Sequence, residues 1–207
     1  AETGPSVLRR LYEMFRGIEP GAVLISAVSL ATLWAWPKLG VPGLPAGVAS
    51  GLRWHANSRD LGFSMSSARS PSDVYSVDAR VNTLTRWTVS ETGGLNASRF
   101  AEPEWGRVRG HDGLPLSGFL YRPDPERFPG PRPVLVSIHG GPESQSRPVF
   151  QMRWNYLLEE MGVAVLYPNV RGSAGYGKRF LTLDNGVLRE DSVKDIGAFI
   201  DWIGKDE

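Results

Sequence analysis

Residues 134–142 read Val134-Leu135-Val136-Ser137-Ile138-His139-Gly140-Gly141-Pro142, and the fold turns on this stretch. The first five positions form a nearly continuous apolar run. Such a run suits a strand covered on both faces, as in a parallel sheet. Two glycines then stand at its C-terminal end, where the backbone can bend sharply and present N–H groups. In open α/β sheets that edge is where ligands bind. The pattern continues downstream. Residues 152–161 read as a helix with Tyr156, Leu157 and Met161 on one side, and residues 163–167 read as a second buried strand ended by Pro168. Residues 191–202 read as a second helix. Val193, Ile196, Ile200 and Ile203 recur there at i, i+3, i+7 and i+10 as an apolar stripe. Ser192, with Asp195 three positions on, resembles a capping box in which Asp replaces Glu or Gln. Strand, helix, strand, helix is the α/β signature.

Upstream the pattern is different. Residues 107–121 predict a hairpin turning at Asp112-Gly113, and a Pro-rich connector follows over residues 123–133. Residues 90–103 are polar and Gly-rich and read as a linker. Between residues 52 and 89, four short alternating segments are separated by regularly spaced turns, which predicts an antiparallel sandwich, barrel or propeller. The strands are too few for a complete propeller, so a terminal blade or two is the most that fits. Residues 21–36 carry no charge and follow Arg9, Arg10 and Arg16. They fall short of the roughly 20 residues a membrane-spanning helix needs. We read them as one or two buried strands rather than as a membrane or signal segment.

Composition narrows the function. The 207 residues carry 23 Lys+Arg against 22 Asp+Glu, so a net charge of +1 gives no electrostatic reason to propose a nucleic-acid partner. There is no Cys, which excludes a disulfide scaffold, a thiolate zinc site and a Cys nucleophile. His55, His111 and His139 lie far apart with no H-x-x-x-H pair, so no metal is expected. No cofactor motif is present either. In residues 169–177, Asn-Val-Arg-Gly-Ser-Ala-Gly-Tyr-Gly, the glycine spacing G-x-x-G-x-G does not match the dinucleotide fingerprint, and Gly177-Lys178 lacks the Walker arrangement. Ser173 is not framed as G-x-S-x-G. Arg171 and Tyr176 are expected to hold this loop by hydrogen bonds and packing.

Taken alone, the His-Gly-Gly-Pro segment is either a simple Gly-Gly-Pro turn or a loop suited to one chemistry. In α/β-hydrolases a loop of this type after the third strand supplies an oxyanion-hole N–H. Glycine is needed because a side chain would block the donor from the developing oxyanion.

Together the motifs carry a resemblance. Ser70-Pro-Ser-Asp-Val-Tyr75, Pro103-Glu104, His111-Asp112-Gly113, Ile138-His-Gly-Gly-Pro-Glu143, Tyr167-Pro-Asn-Val-Arg-Gly-Ser-Ala-Gly-Tyr-Gly177, Leu183-Asp-Asn-Gly186, Asp191-Ser-Val-Lys-Asp195 and Asp201-Trp202 stand in order. From about Leu52 onward the chain resembles the prolyl oligopeptidase family of serine peptidases, which includes acylaminoacyl and dipeptidyl peptidases. The resemblance implies an α/β class: a partial α/β-hydrolase domain preceded by β-propeller blade strands. The expected division is residues 51–103 as terminal blade and linker, and residues 104–207 as the first part of the hydrolase domain. Residues 1–50 stay unassigned, with propeller strands one option.

The resemblance also implies cleavage of peptide substrates by a Ser-Asp-His triad. The Ser would sit in a G-x-S-x-G elbow after the helix at residues 191–202, with the acid and His later still. No G-x-S-x-G occurs in the 207 residues. The chain is therefore expected to be a piece of a longer peptidase and inert by itself. By resemblance, Gly141 N–H is the oxyanion donor, with His139 and Gly140 shaping its loop. Two rivals remain: an α/β-hydrolase esterase, and a non-catalytic propeller or interaction module.

Overall fold

The computed structural model describes residues 41–141 and 143–205. The uncharged run at residues 21–36 lies outside them. Residues 1–44 and 45–207 form separate compact units. Of the first, the described part is a turn closed by Leu44 N–H donating to Val41 O.

The second unit holds two four-stranded sheets. The first is a meander, β1 (Gly47–Trp54), β2 (Asp60–Ser67), β3 (Ser70–Asp78) and β4 (Thr83–Arg86), antiparallel throughout and in sequence order. Its turns fall where Asn57–Asp60 and Asn82 predict them. Asn57 Oδ1 accepts from the backbone N–H of Arg59 and Asp60, an Asx turn that closes the first hairpin. Phe63, Met65 and Tyr75 form a small core on one face, joined by Val77 and Leu84. Strand β3 begins at Ser70, earlier than the alternation from Val74 predicts. Pro71 is accommodated because the β2–β3 register shifts between Met65 and Ser67, leaving no ladder bond for it to donate.

The second sheet contains β5 (Glu104–Arg109), β6 (Pro115–Tyr121), β7 (Val134–Val136) and β8 (Ala164–Asn169), in the spatial order β5-β6-β8-β7. β5 and β6 form the expected hairpin, with Gly113 at φ +84° in the turn. β6 pairs antiparallel with β8, and β8 pairs parallel with β7. The sheet is mixed, and with its helices it gives the α/β class. The helices are α1 (Trp154–Glu160), α2 (Lys178–Leu181) and α3 (Arg189–Ile203).

Several sequence expectations are corrected here. β7 has three residues, each only half-buried, and Ile138 beyond it is exposed. Its apolar composition suggested two-sided cover, but it lies at the sheet edge and pairs only with β8 among the described residues. Pro168 does not end β8. It sits inside the strand opposite Gly118. Ser137 N–H donates to Leu166 O, so Leu166 faces β7 and Pro168, two residues on, faces the same side. There β7 has already left the sheet, so the missing proline N–H costs no ladder bond. On α1 the buried residues are Asn155, Leu158 and Glu159, while Tyr156 and Met161 are exposed. Glu159 can be buried because Arg99 and Arg127 reach its carboxylate. On α3 the buried residues are Ser192, Asp195 and Phe199, with Val193 and Ile200 exposed. The helix starts at Arg189, so Ser192 lies within it and its hydroxyl donates to Arg189 O instead of capping.

The main core packs α3 onto the sheet through Val108, Leu116, Leu120, Leu166 and Phe199. Two glycines permit this close approach. A Cβ on Gly118 would lie 2.9 Å from Tyr167 O and 3.1 Å from Phe199, and one on Gly106 would strike the Trp202 ring at 2.8 Å. A second cluster on the other face joins Tyr121, Leu158 and Val165 to Ala68, which belongs to the β2–β3 turn of the first sheet. Phe150 N–H donating to Ser66 Oγ and the Arg69–Glu102 ion pair reinforce this junction.

Candidate active site

The parallel strands β7 and β8 end side by side, and each runs directly into a Gly-containing loop. The loop after β7 starts at Ser137 and carries His139, Gly140 and Gly141. The loop after β8 is residues 170–177. The two are fastened together at several points. Ala174 N–H donates to Ser144 O at 2.7 Å. Asn169, fully buried at the end of β8, accepts from Ser146 N–H at 2.7 Å and donates to Ser146 O at 3.1 Å. His139 Nε2 lies 2.8 Å from Ser173 Oγ.

The candidate residues His139, Gly140 and Gly141 lie in the loop that follows β7. Gly141 has φ +113°, a conformation that side-chain-bearing residues rarely adopt, and both glycines are exposed. His139 is half-buried, held between Ser173 on one side and the Gly140 carbonyl, 3.3 Å from Nδ1, on the other. A cleft of about 530 Å³ opens beside this loop, lined in part by Ser137, His139, Val149, Phe150, Trp154 and Tyr167. Its walls are largely apolar. Burial pushes the Tyr167 phenol up to about 12, so it stays a neutral donor at physiological pH. Tyr121 stacks edge-on against Tyr167 and donates to Val149 O at 3.3 Å, fixing the far wall.

The loop after β8 is built on a charge cluster. Arg171, almost fully buried, donates to both carboxylate oxygens of the fully buried Asp195 at 2.8 Å and to Asp112 at 2.9 and 3.0 Å. Asp195 also accepts from Arg171 N–H at 3.0 Å. The hydrogen bond from Arg171, then that from Leu114 N–H, holds the Asp112 carboxyl down at about 2. Tyr176 OH meets Ser117 Oγ at 2.7 Å, and its ring packs on Phe180. Arg171 and Tyr176 thus hold the loop as their residue types suggest. Ser173 is fully buried and hydrogen-bonded on two sides, which leaves no approach for a substrate. Its contact with His139 went unforeseen, because 34 residues separate the two and only the adjacency of β7 and β8 joins them.

Comparisons with known proteins bear on the same region. Residues 149–207 match the model of the prolyl oligopeptidase family. The chain is 26% identical over 209 residues to the human acylamino-acid-releasing enzyme, covering 74% of this chain and 28% of that protein. It is 30% identical over 99 residues to the uncharacterized peptidase YuxL of Bacillus subtilis, covering 48% of this chain and 15% of that protein. The chain therefore spans well under a third of the curated relatives it matches. Among solved structures, puromycin hydrolase superposes with a TM-score of 0.68 at 22% identity, covering 79% of this chain and 25% of its own. That likeness is one of fold. In its ordered motifs, in the family model over its C-terminal part, and in the path of its backbone, the chain resembles the prolyl oligopeptidase family.

Proposed function

We propose that this chain is part of a serine peptidase of the prolyl oligopeptidase type, comprising a terminal propeller blade, a linker and the first part of the hydrolase domain. Strands β1 to β4 are the blade. Residues from Glu104 onward are the hydrolase part, whose strand order β5-β6-β8-β7 places β7 at the edge among the described residues. The observation that carries the reading is the placement of Gly141. Its left-handed backbone stands in the loop that follows β7, two residues beyond His139, which lines a largely apolar cleft.

In this reading the substrate is a peptide. A Ser from a G-x-S-x-G elbow attacks the scissile carbonyl, and the carbonyl oxygen gains negative charge. Gly141 N–H donates to that oxygen as the charge develops, and water later releases the acyl group. An oxyanion donor of this kind is worth about 10²–10³ in kcat. The chain holds the donor but no such elbow, so by itself it has nothing to stabilise.

The test uses a fluorophosphonate probe and acylaminoacyl, aminoacyl and prolyl 4-nitroanilides. The 207-residue chain alone is expected to take no label and release no nitroaniline. The native gene product is expected to take one label and to hydrolyse at least one of the three substrates. Gly141→Ala in that product keeps the N–H but strains a backbone held at φ +113°, and is expected to lower kcat by less than the loss of a donor outright. Stoichiometric labelling of the isolated chain would show that it carries its own nucleophile. Cleavage of simple acyl esters but no amide would point instead to an esterase.

A further inference from the structure

The cleft beside His139 carries charge of one sign. Arg147 and Arg153 both line it, and among the described residues no Asp or Glu does. Glu143, the acidic residue of the same loop, is exposed, does not line the cleft and pairs with neither arginine. Each guanidinium is anchored by a neutral group instead. Arg147 Nε and Nη2 donate to Gln145 Oε1, each at 2.7 Å, and the Gln145 amide nitrogen donates to Ala174 O at 3.2 Å. Gly175 makes room for that amide, since a Cβ there would strike it. The Arg153 guanidinium stands over the Trp154 ring, 5.0 Å from its centre. Gln145 and Trp154 line the cleft too, so each guanidinium is held against a residue of its wall. An amide and an indole fix a guanidinium in place and leave its charge uncancelled.

The walls convert that charge into a preference. Val149, Phe150, Trp154 and Tyr167 make them largely apolar, and low-dielectric walls around charges of one sign concentrate the field. Tyr167 adds a hydroxyl with no hydrogen-bond partner among the described residues. Gln145 engages only Nε and Nη2 of Arg147, so Nη1 is left to donate. The polar groups on offer are therefore donors. A carboxylate is purely an acceptor, and its two oxygens match the fork of a guanidinium. A cationic ligand would be repelled, and a neutral amide would forgo the charge-assisted bonds.

We propose that this cleft is a subsite for anionic peptides. It takes a peptide that carries a carboxylate next to an apolar residue, with the carboxylate on Arg147 and Arg153 and the apolar residue on the aromatic wall. The carboxylate has two sources, an acidic side chain or a free C-terminus. As a statement of substrate choice the proposal rests on the peptidase reading, whereas the preference for a carboxylate is a property of the cleft alone.

The test uses the native gene product and three peptides. Acetyl-Gln-Phe-amide is the neutral reference, acetyl-Glu-Phe-amide adds an acidic side chain, and acetyl-Gln-Phe adds a free C-terminus. Binding is measured by calorimetry, and cleavage is followed separately by mass spectrometry. At least one carboxylate peptide is expected to bind about 10-fold more tightly than the reference. Preference for the Glu peptide assigns the side chain as the source, and preference for the free acid assigns the C-terminus. In Arg147→Gln and in Arg153→Gln the ratio to the reference should fall toward 1. Equal binding of all three peptides by the wild type would overturn the proposal. So would arginine variants that weaken all three alike and leave the ratio standing, the mark of a purely structural role. A product that cleaves nothing but keeps an arginine-dependent preference would sink the peptidase reading and leave the carboxylate site in place. One that cleaves peptides without the preference would do the reverse.

Discussion

At the scale of single residues, Arg171 carries the heaviest demand. It neutralises Asp195, which is fully buried on α3, and reaches Asp112 in the β5–β6 turn. Removing one partner of a buried pair leaves an uncompensated charge and costs about 3–5 kcal/mol. Arg171→Met is therefore expected to destabilise the chain by that amount, read from urea unfolding. The same variant has a signature in pH. The Asp112 pKa is depressed to about 2, so its ion pair is complete above the ordinary carboxylate value near 3.9 and is lost as pH falls toward 2. In Arg171→Met the Asp112 carboxyl should titrate near its ordinary value, measured by carboxyl ¹³C shifts. A second carboxylate, Asp73, behaves alike in the first sheet. Burial alone would raise its pKa, but bonds from Ser70, Arg86, Thr88 and Ser90 outweigh burial and hold it well below the usual range. The Ser-Pro-Ser-Asp motif thus ties β3 to β4 and to the start of the linker.

At the scale of elements, α3 shows what periodicity can and cannot convey. Its stripe of Val193, Ile196, Ile200 and Ile203 is genuine in the sequence, yet the helix turns Asp195 and Phe199 inward and leaves Val193 and Ile200 exposed. A hydrophobic count assigns Asp195 to the outside, because its partner lies 24 residues earlier on another loop and no local pattern announces it. The close fit of Phe199 over Gly118 completes the choice. Phe199→Ala is expected to cost about 3–5 kcal/mol, whereas Val193→Lys and Ile200→Lys should each stay within about 0.5 kcal/mol in thermal melts of this chain. Equal losses from both faces would mean that the helix packs differently. The misplaced face of α1 has the same origin, since Glu159 is buried by virtue of Arg99 and Arg127. The strand–glycine–glycine junction after β7 was legible, because an apolar run followed by two glycines has few other uses. The Ser173–His139 contact was not, since it exists only once β8 pairs beside β7.

At the scale of the molecule, the two sheets of the second unit meet at a small residue. Ala68 is buried against Tyr121, Leu158 and Val165, although it belongs to a turn of the first sheet. A carboxylate there would be buried without a partner. Ala68→Asp is expected to split a single unfolding transition into two, one per sheet, followed by circular dichroism and tryptophan fluorescence. A single, merely shifted transition would show that other contacts couple the sheets. The linker contributes to the same junction through Phe100, which is buried and packs edge-on against Phe150. Three-residue β7 has a bearing on how the molecule comes into being. Among the described residues it meets the rest of its sheet through β8 alone, across a connection of 27 intervening residues that runs from Ser137 to Val163. The pairing of β6 with β8 closes a longer loop still, from Arg122 to Val163, so the β5–β6 hairpin with its tight turn is the one local pairing of this sheet among the described residues. The hairpin is therefore expected to form first and the two long-range pairings after it, so the crevice beside His139 takes its shape late in folding.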